Sequence, residues 1–174
     1  MQIELTPTLI DMYRETFEGS VRPNWCWIVS GPADQSVLGS LAAVKADEAY
    51  TPPGPDRRSI AAHAAHLKYT LELTLQRLHG ENPPVDWEGS FETGEPSPQA
   101  WEHLQRDLRA AYEAMLAFFD AMREEPISAW QPIQVAALAA MTGHNAYHLG
   151  AIRQLIVAGP KRGKHSTSES ESVT

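Results

Sequence analysis

Apolar residues recur along most of the chain at spacings of three and four, and the segments with this period are separated by clusters of proline and glycine. Leu9, Ile10, Tyr13 and Phe17 give one apolar side to a short first helix, with Thr6 placed to cap it, Pro7 in its first turn, and Gly19 and Ser20 at its end. Val37, Leu38, Leu41 and Val44 predict a second helix, capped by Asp34 or Ser36 and running to about Glu48. Thr51 to Pro55 holds three prolines and a glycine and forbids helix. A third helix follows from Ile60 to about Leu78, with Ser59 as cap and Gly80 as stop. Ser97 and Pro98 open a fourth, in which Trp101, Leu104, Leu108, Ala111, Met115, Phe118 and Met122 keep the period. Its other face, with Glu102, Arg106, Arg109, Glu113 and Asp120, reads as solvated charge. Pro132 starts the last helix, which continues to Gly159.

No alternating period is strong enough for a strand, so the fold class is all-α: four main helices plus the short N-terminal one. Two connections stand out. Arg22 to Val29, with Trp25, Cys26 and Trp27, is too apolar to hang in water and is expected to pack across one end of the core. Glu81 to Glu95 is a long loop rich in proline and glycine, with Trp87 and Phe91 as its anchors. A helix of about twenty residues is about 30 Å long, and about fifteen residues at roughly 3.3 Å each can run its full length. The loop therefore suits a crossover between parallel neighbours. Residues 160–174 are basic and then rich in serine and glutamate, and are expected to form a disordered tail behind one domain spanning 1–159.

Composition narrows the function. The 174 residues carry a net charge of −8 and no basic stripe, which argues against nucleic acid as a partner. One cysteine, Cys26, excludes an internal disulfide and suits a reducing compartment. The start lacks the pattern of a signal peptide, and His144, Asn145 and His148 interrupt the longest apolar run, so a cytoplasmic protein with no membrane span is expected.

The candidate chemistry lies in the histidines. His144 and His148 are four apart, one turn above each other, in a stripe with Leu138, Met141, Ile152 and Leu155 that faces inward. Two imidazoles so placed are costly to bury without partners. In the third helix the apolar direction is set by Ile60, Leu67, Leu71 and Leu78, and at roughly 100° per residue both His63 and His66 fall near its interior. Periodicity does not choose between them. A bundle brings such helices within about 8–10 Å, which places a third imidazole within reach of the pair. His79 at a helix end, His103 on a polar face and His165 in the tail carry no function on this reading.

Ser59 to Leu67, with His63 and His66, followed much later by His144, Asn145, Ala146, Tyr147, His148, Leu149, Gly150, Ala151, Ile152, Arg153 and Gln154, resembles the DinB-like family of metal-dependent enzymes. The resemblance covers about Ala33 to Val157. It implies a four-helix bundle of up-down-down-up topology with a long crossover between the second and third bundle helices. It also implies a metal held by three histidines, His144 and His148 as the pair and His66, seven residues after Ser59, as the first ligand. The sequence departs from the commonest form in the extra His63, and in Leu149 where many relatives carry arginine. His63 then becomes a partner of the ligands or a wall of the pocket. Tyr147 either orients a substrate or packs between helices, and Asn145 is placed to hydrogen-bond across the helix interface. Gly143 and Gly150 are expected to admit close helix packing at the site.

Three neutral imidazoles leave coordination positions open, as a catalytic site requires, and zinc, nickel and iron(II) all accept imidazole. Members of the wider family transfer low-molecular-weight thiols such as bacillithiol or isomerise with mycothiol. The resemblance therefore implies a divalent metal, a small-molecule substrate and a low-molecular-weight thiol as cosubstrate, with thiol transfer or hydrolysis as the reaction. A non-catalytic bundle that binds metal or a small ligand, for stability, sensing or stress response, is the other reading. Apolar bundle faces commonly pair, and a homodimer is expected.

Overall fold

A computed structural model describes residues 4–22, 25–29 and 31–159. Six α-helices carry the described chain: α1 (Leu5–Glu18), α2 (Val37–Ala42), α3 (Ala46–Tyr50), α4 (Ile60–Leu78), α5 (Pro98–Asp120) and α6 (Pro132–Ala158). Single 3-10 turns stand at Ala33–Gln35, Gly89–Phe91 and Ile127–Ala129, and the described residues contain no β-strand. The residues expected to form the tail lie outside the described ones.

The three longest helices begin where their sequence punctuation puts them, and α5 ends at Asp120, two residues before the last apolar position of its period. Ser59 Oγ accepts from Ala62 N at 3.2 Å and Ser97 Oγ from Ala100 N at 3.0 Å, each satisfying an amide that the first helical turn leaves without a partner. At the start of α6 the Gln134 side chain accepts from Gln131 N at 2.8 Å, and Pro132 follows with no amide to satisfy.

α4 packs on α5 and α6, and α1 packs on α6 and α5, so each of the four longest helices meets two others. Ile10, Tyr13 and Phe17 of α1, Leu67 and Leu71 of α4, Leu108, Met115 and Phe119 of α5, and Leu138 and Ile152 of α6 are buried between them. Phe17 stacks on Tyr112 with ring centroids 4.4 Å apart. Phe119 lies parallel to Trp130 at 5.9 Å. No helix among the described residues is long and apolar enough to cross a membrane.

The N-terminal third departs from the periodic reading. The first helix is no accessory, since its inner residues are wholly buried. Thr6 does not cap it; Glu4 holds the cap position, and Thr6 Oγ1 donates to the Glu125 carbonyl at 2.8 Å, tying α1 to the end of α5. The expected second helix is instead a 3-10 turn and two short helices, α2 and α3. The break is accommodated by α5: Trp101 Nε1 donates to the Val44 carbonyl at 2.9 Å, giving that oxygen a partner where the helix does not continue. Lys45 is extended, and Glu48 accepts its amide to start α3.

Gly19 turns the chain at φ 85°, and a Cβ there would stand 2.9 Å from Ala33 Cα. The aromatic segment is held by Glu15, whose carboxylate accepts from the amides of Trp27 at 3.0 Å and of Ile28 and Val29 at 2.6 Å. Val29 is buried, whereas Trp25 and Trp27 stay 41% and 45% exposed, their rings in tilted contact with each other and not seated in the core.

Candidate metal centre

Cap and spacing together place the histidines. The Ser59 cap fixes the start of α4, so His63 and His66 fall in its first two turns, among Ala61, Ala62, Ala64 and Ala65, whose small side chains let neighbouring backbones approach. On α6 the inward stripe carries His144 and His148 toward the same point. Ring centroids of His66 lie 5.1 Å from His144 and 4.8 Å from His148, and those of His144 and His148 lie 4.6 Å apart. One nitrogen from each of the three falls within 4.8 Å of the other two. His66 and His148 are buried and His144 half-buried.

The hydrogen bonds decide which nitrogens are free. His66 Nδ1 is 2.7 Å from Ser90 Oγ, and Ser90 Oγ donates its single proton to the Trp87 carbonyl at 2.6 Å. Ser90 must then accept from His66, which puts the imidazole proton on Nδ1 and leaves a lone pair on Nε2. His148 Nδ1 is 2.9 Å from His63 Nδ1. One of the two donates, and if it is His148 its Nε2 is likewise a lone pair. His144 Nε2 is buried with no hydrogen-bond partner among the described residues. A buried nitrogen of this kind is costly unless something binds it, and a metal cation bound by one nitrogen of each ring would supply that partner. The donor set therefore fits a metal that takes neutral histidine.

Charge agrees with this assignment. Burial foremost, with the neighbouring His144, His63 and Arg58 adding repulsion, lowers the His66 pKa to about 4. Burial and the three other histidines lower His148 to about 3. His144 is lowered by burial, and His63 by burial and Arg58. All four imidazoles are neutral at pH 7, the form in which histidine is a ligand.

Both α4 histidines are thus engaged, in different ways: His66 joins the cluster, and His63 holds His148. Tyr147 sits edge-on to His148 with centroids 5.0 Å apart, but is 71% exposed and does not pack between helices. Asn145 is 0% exposed, yet neither its amide nitrogen nor its oxygen has a partner among the described residues; nothing in the structure accounts for this. Gly143 and Gly150 do not admit close packing, because a Cβ at either would meet no atom within 4 Å; both lie on the outward side of α6. His79 and His103 are exposed and apart from the cluster, and Glu72 is exposed and paired with Lys68 at 2.8 Å.

Ser90 and Phe91 are the site residues that sequence reasoning missed. Phe91 stacks flat on His66, centroids 4.0 Å apart and planes 4° apart. Both come from the turn Gly89–Phe91 in the long loop after α4. The length of that loop was the available signal, since an unusually long connection in a compact fold tends to have work to do.

The three histidines come from the facing sides of α4 and α6, and helical folds commonly build their sites from such facing side chains. The family model that describes the DinB superfamily matches residues 33–152, and the chain belongs to that superfamily. No curated protein and no solved structure matches it.

Proposed function

We propose that this protein is a metal-dependent enzyme in which His66, His144 and His148 hold one divalent transition-metal ion, zinc, nickel or iron(II), within a four-helix bundle of up-down-down-up topology. The bundle is formed by α1, α4, α5 and α6, with 1–159 as one domain. The observation that carries this reading is the convergence of the three imidazoles: one nitrogen of each lies within 4.8 Å of the other two, His66 Nδ1 donates to Ser90, His148 Nδ1 pairs with His63, and His144 Nε2 is buried without a partner. Such an ion supplies Lewis acidity and an anchoring point for a small substrate or a low-molecular-weight thiol. The chain's own residues do the rest. Ser90 and His63 orient the ligating rings, Phe91 covers one face of His66, and burial keeps the imidazoles neutral. Thiol transfer or hydrolysis is the reaction class, in the cytoplasm.

Metal content of protein purified without a histidine tag tests the site, and turnover of electrophiles with thiol cofactors tests the activity. One equivalent of metal, lost together with turnover in His144→Ala, is the expected result. Metal without turnover favours the non-catalytic binding bundle, and absence of metal under varied supplementation sinks both.

A second copy of the chain is the partner we assign to the outward side of α6. That helix carries no charged residue from Pro132 to Ile152, and Ile133, Ala136, Ala140, Gly143, Tyr147 and Gly150 are exposed along it. A helix apolar on all sides is ordinarily covered on all sides.

A further inference from the structure

The loop leading into α4 brings a free cation to the histidine cluster. Asp56 takes the left-handed conformation at φ 57°, one that aspartate tolerates better than most residues, and Arg57 N closes a turn onto the Gly54 carbonyl at 3.3 Å. Arg58 follows directly, one residue before the Ser59 cap. Its guanidinium lies over the ring of Phe91, 4.6 Å from the centroid. Phe91 in turn lies flat on His66 at 4.0 Å. Those two steps keep the guanidinium within a small molecule's length of the histidine. The positive charge of Arg58 is felt by both His63 and His66, where it adds to burial in disfavouring the imidazolium.

Arg58 is exposed, and no ion pair or side-chain hydrogen bond ties it to any described residue. That matters in a chain with 22 acidic and 14 basic side chains, where carboxylates are abundant. Arg14, Arg22 and Arg123 are all paired with carboxylates. Arg57 and Arg77 also have no carboxylate partner among the described residues, and of the three it is Arg58 whose guanidinium lies over Phe91, beside the histidine cluster.

We propose that Arg58 binds the oxyanion group, carboxylate or phosphate, of the small molecule whose other end engages the metal at His66, His144 and His148. The guanidinium fork matches both groups in a bidentate way, and stacking on Phe91 holds the fork in one plane. The substrate class is therefore an anion with a separate metal-seeking donor, and a neutral compound with the same donor is discriminated against. This assignment rests on the metal reading given above.

Cobalt(II)-loaded protein provides the test, because thiolate binding is seen as a sulfur-to-cobalt absorption band without any turnover. Three thiols are titrated: mercaptosuccinate, 3-mercaptopropylphosphonate and neutral 1-thioglycerol. The expected result is that at least one anionic thiol binds more tightly than thioglycerol, and that Arg58→Gln removes about tenfold of that advantage without weakening the binding of thioglycerol or of cobalt. Whichever anionic thiol loses its advantage identifies carboxylate or phosphate as the group recognised. If Arg58 serves only to seat Phe91, Arg58→Gln weakens cobalt binding or all three thiols equally, and the proposal is overturned. It is also overturned if both anionic thiols keep their advantage in the variant. Failure of the wild-type protein to bind cobalt at all is a different outcome, and removes the metal reading together with this one.

Discussion

Ser90 shows how much of the site depends on a single hydroxyl. Its proton goes to the Trp87 carbonyl, so its lone pair fixes the tautomer of His66. Ser90→Ala is expected to lower metal affinity by about 10- to 100-fold, the usual loss for an outer partner of a ligating histidine, as read by competition with a chromophoric chelator. His66→Ala should abolish stoichiometric binding in the same assay. The depressed histidines also set a pH dependence in the metal-free protein. The unfolded chain takes up protons near pH 6.5, whereas folded His66 and His148 resist until about 4 and about 3. Unfolded protein then binds more protons over that interval, so stability is full above about pH 6.5 and falls as the pH drops through the folded values. Urea unfolding from pH 7 to pH 4 should show this decline, and a His66→Gln, His148→Gln double variant should show a flatter one. At this scale the sequence was partly legible. The spacing of His144 and His148 gave the pair, but no spacing rule reaches Ser90, which lies 24 residues beyond His66 and meets it only because the loop folds back.

Elements were read well wherever a helix had both a strong apolar period and a side-chain cap. α4, α5 and α6 match expectation to within about two residues. The stretch from Ala33 to Tyr50 did not, although its apolar spacing was sound, because the Val44 carbonyl at the break after α2 finds its partner in the distant Trp101 indole. A contact across 57 positions leaves no trace in local periodicity. Glu15 is another case, a carboxylate on the inward side of α1 that reads as a misplaced charge until the three amides of Trp27, Ile28 and Val29 are seen around it. Each hydrogen bond to a charged group is worth about 1.5–3 kcal/mol, and Glu15→Gln keeps one oxygen for two of the amides while setting an NH2 against the third, so it is expected to destabilise the protein by about that amount in denaturant titration. The same change should leave metal affinity unaltered, since α1 supplies no member of the histidine cluster.

For the molecule as a whole, the exposed uncharged side of α6 is the surface assigned to a second copy. Size exclusion with light scattering is expected to give a dimer, and Tyr147→Lys, which sets a charge in the middle of the exposed stripe, a monomer with unchanged helical circular dichroism; a wild-type monomer at micromolar concentration would refute the pairing. An ion held as proposed by His66, His144 and His148 would join two helices far apart in sequence, and at one hundred times its dissociation constant it should add about 2.7 kcal/mol to stability, an increment absent from His144→Ala. The chain of contacts from His66 through Ser90 ends at Trp87, whose ring lies 6.4 Å from that imidazole and is 54% exposed. Trp87 is thereby a built-in fluorophore for the site: filling the cluster with cobalt or nickel should quench its emission, and replacing it with phenylalanine should leave the other four tryptophans almost blind to the metal.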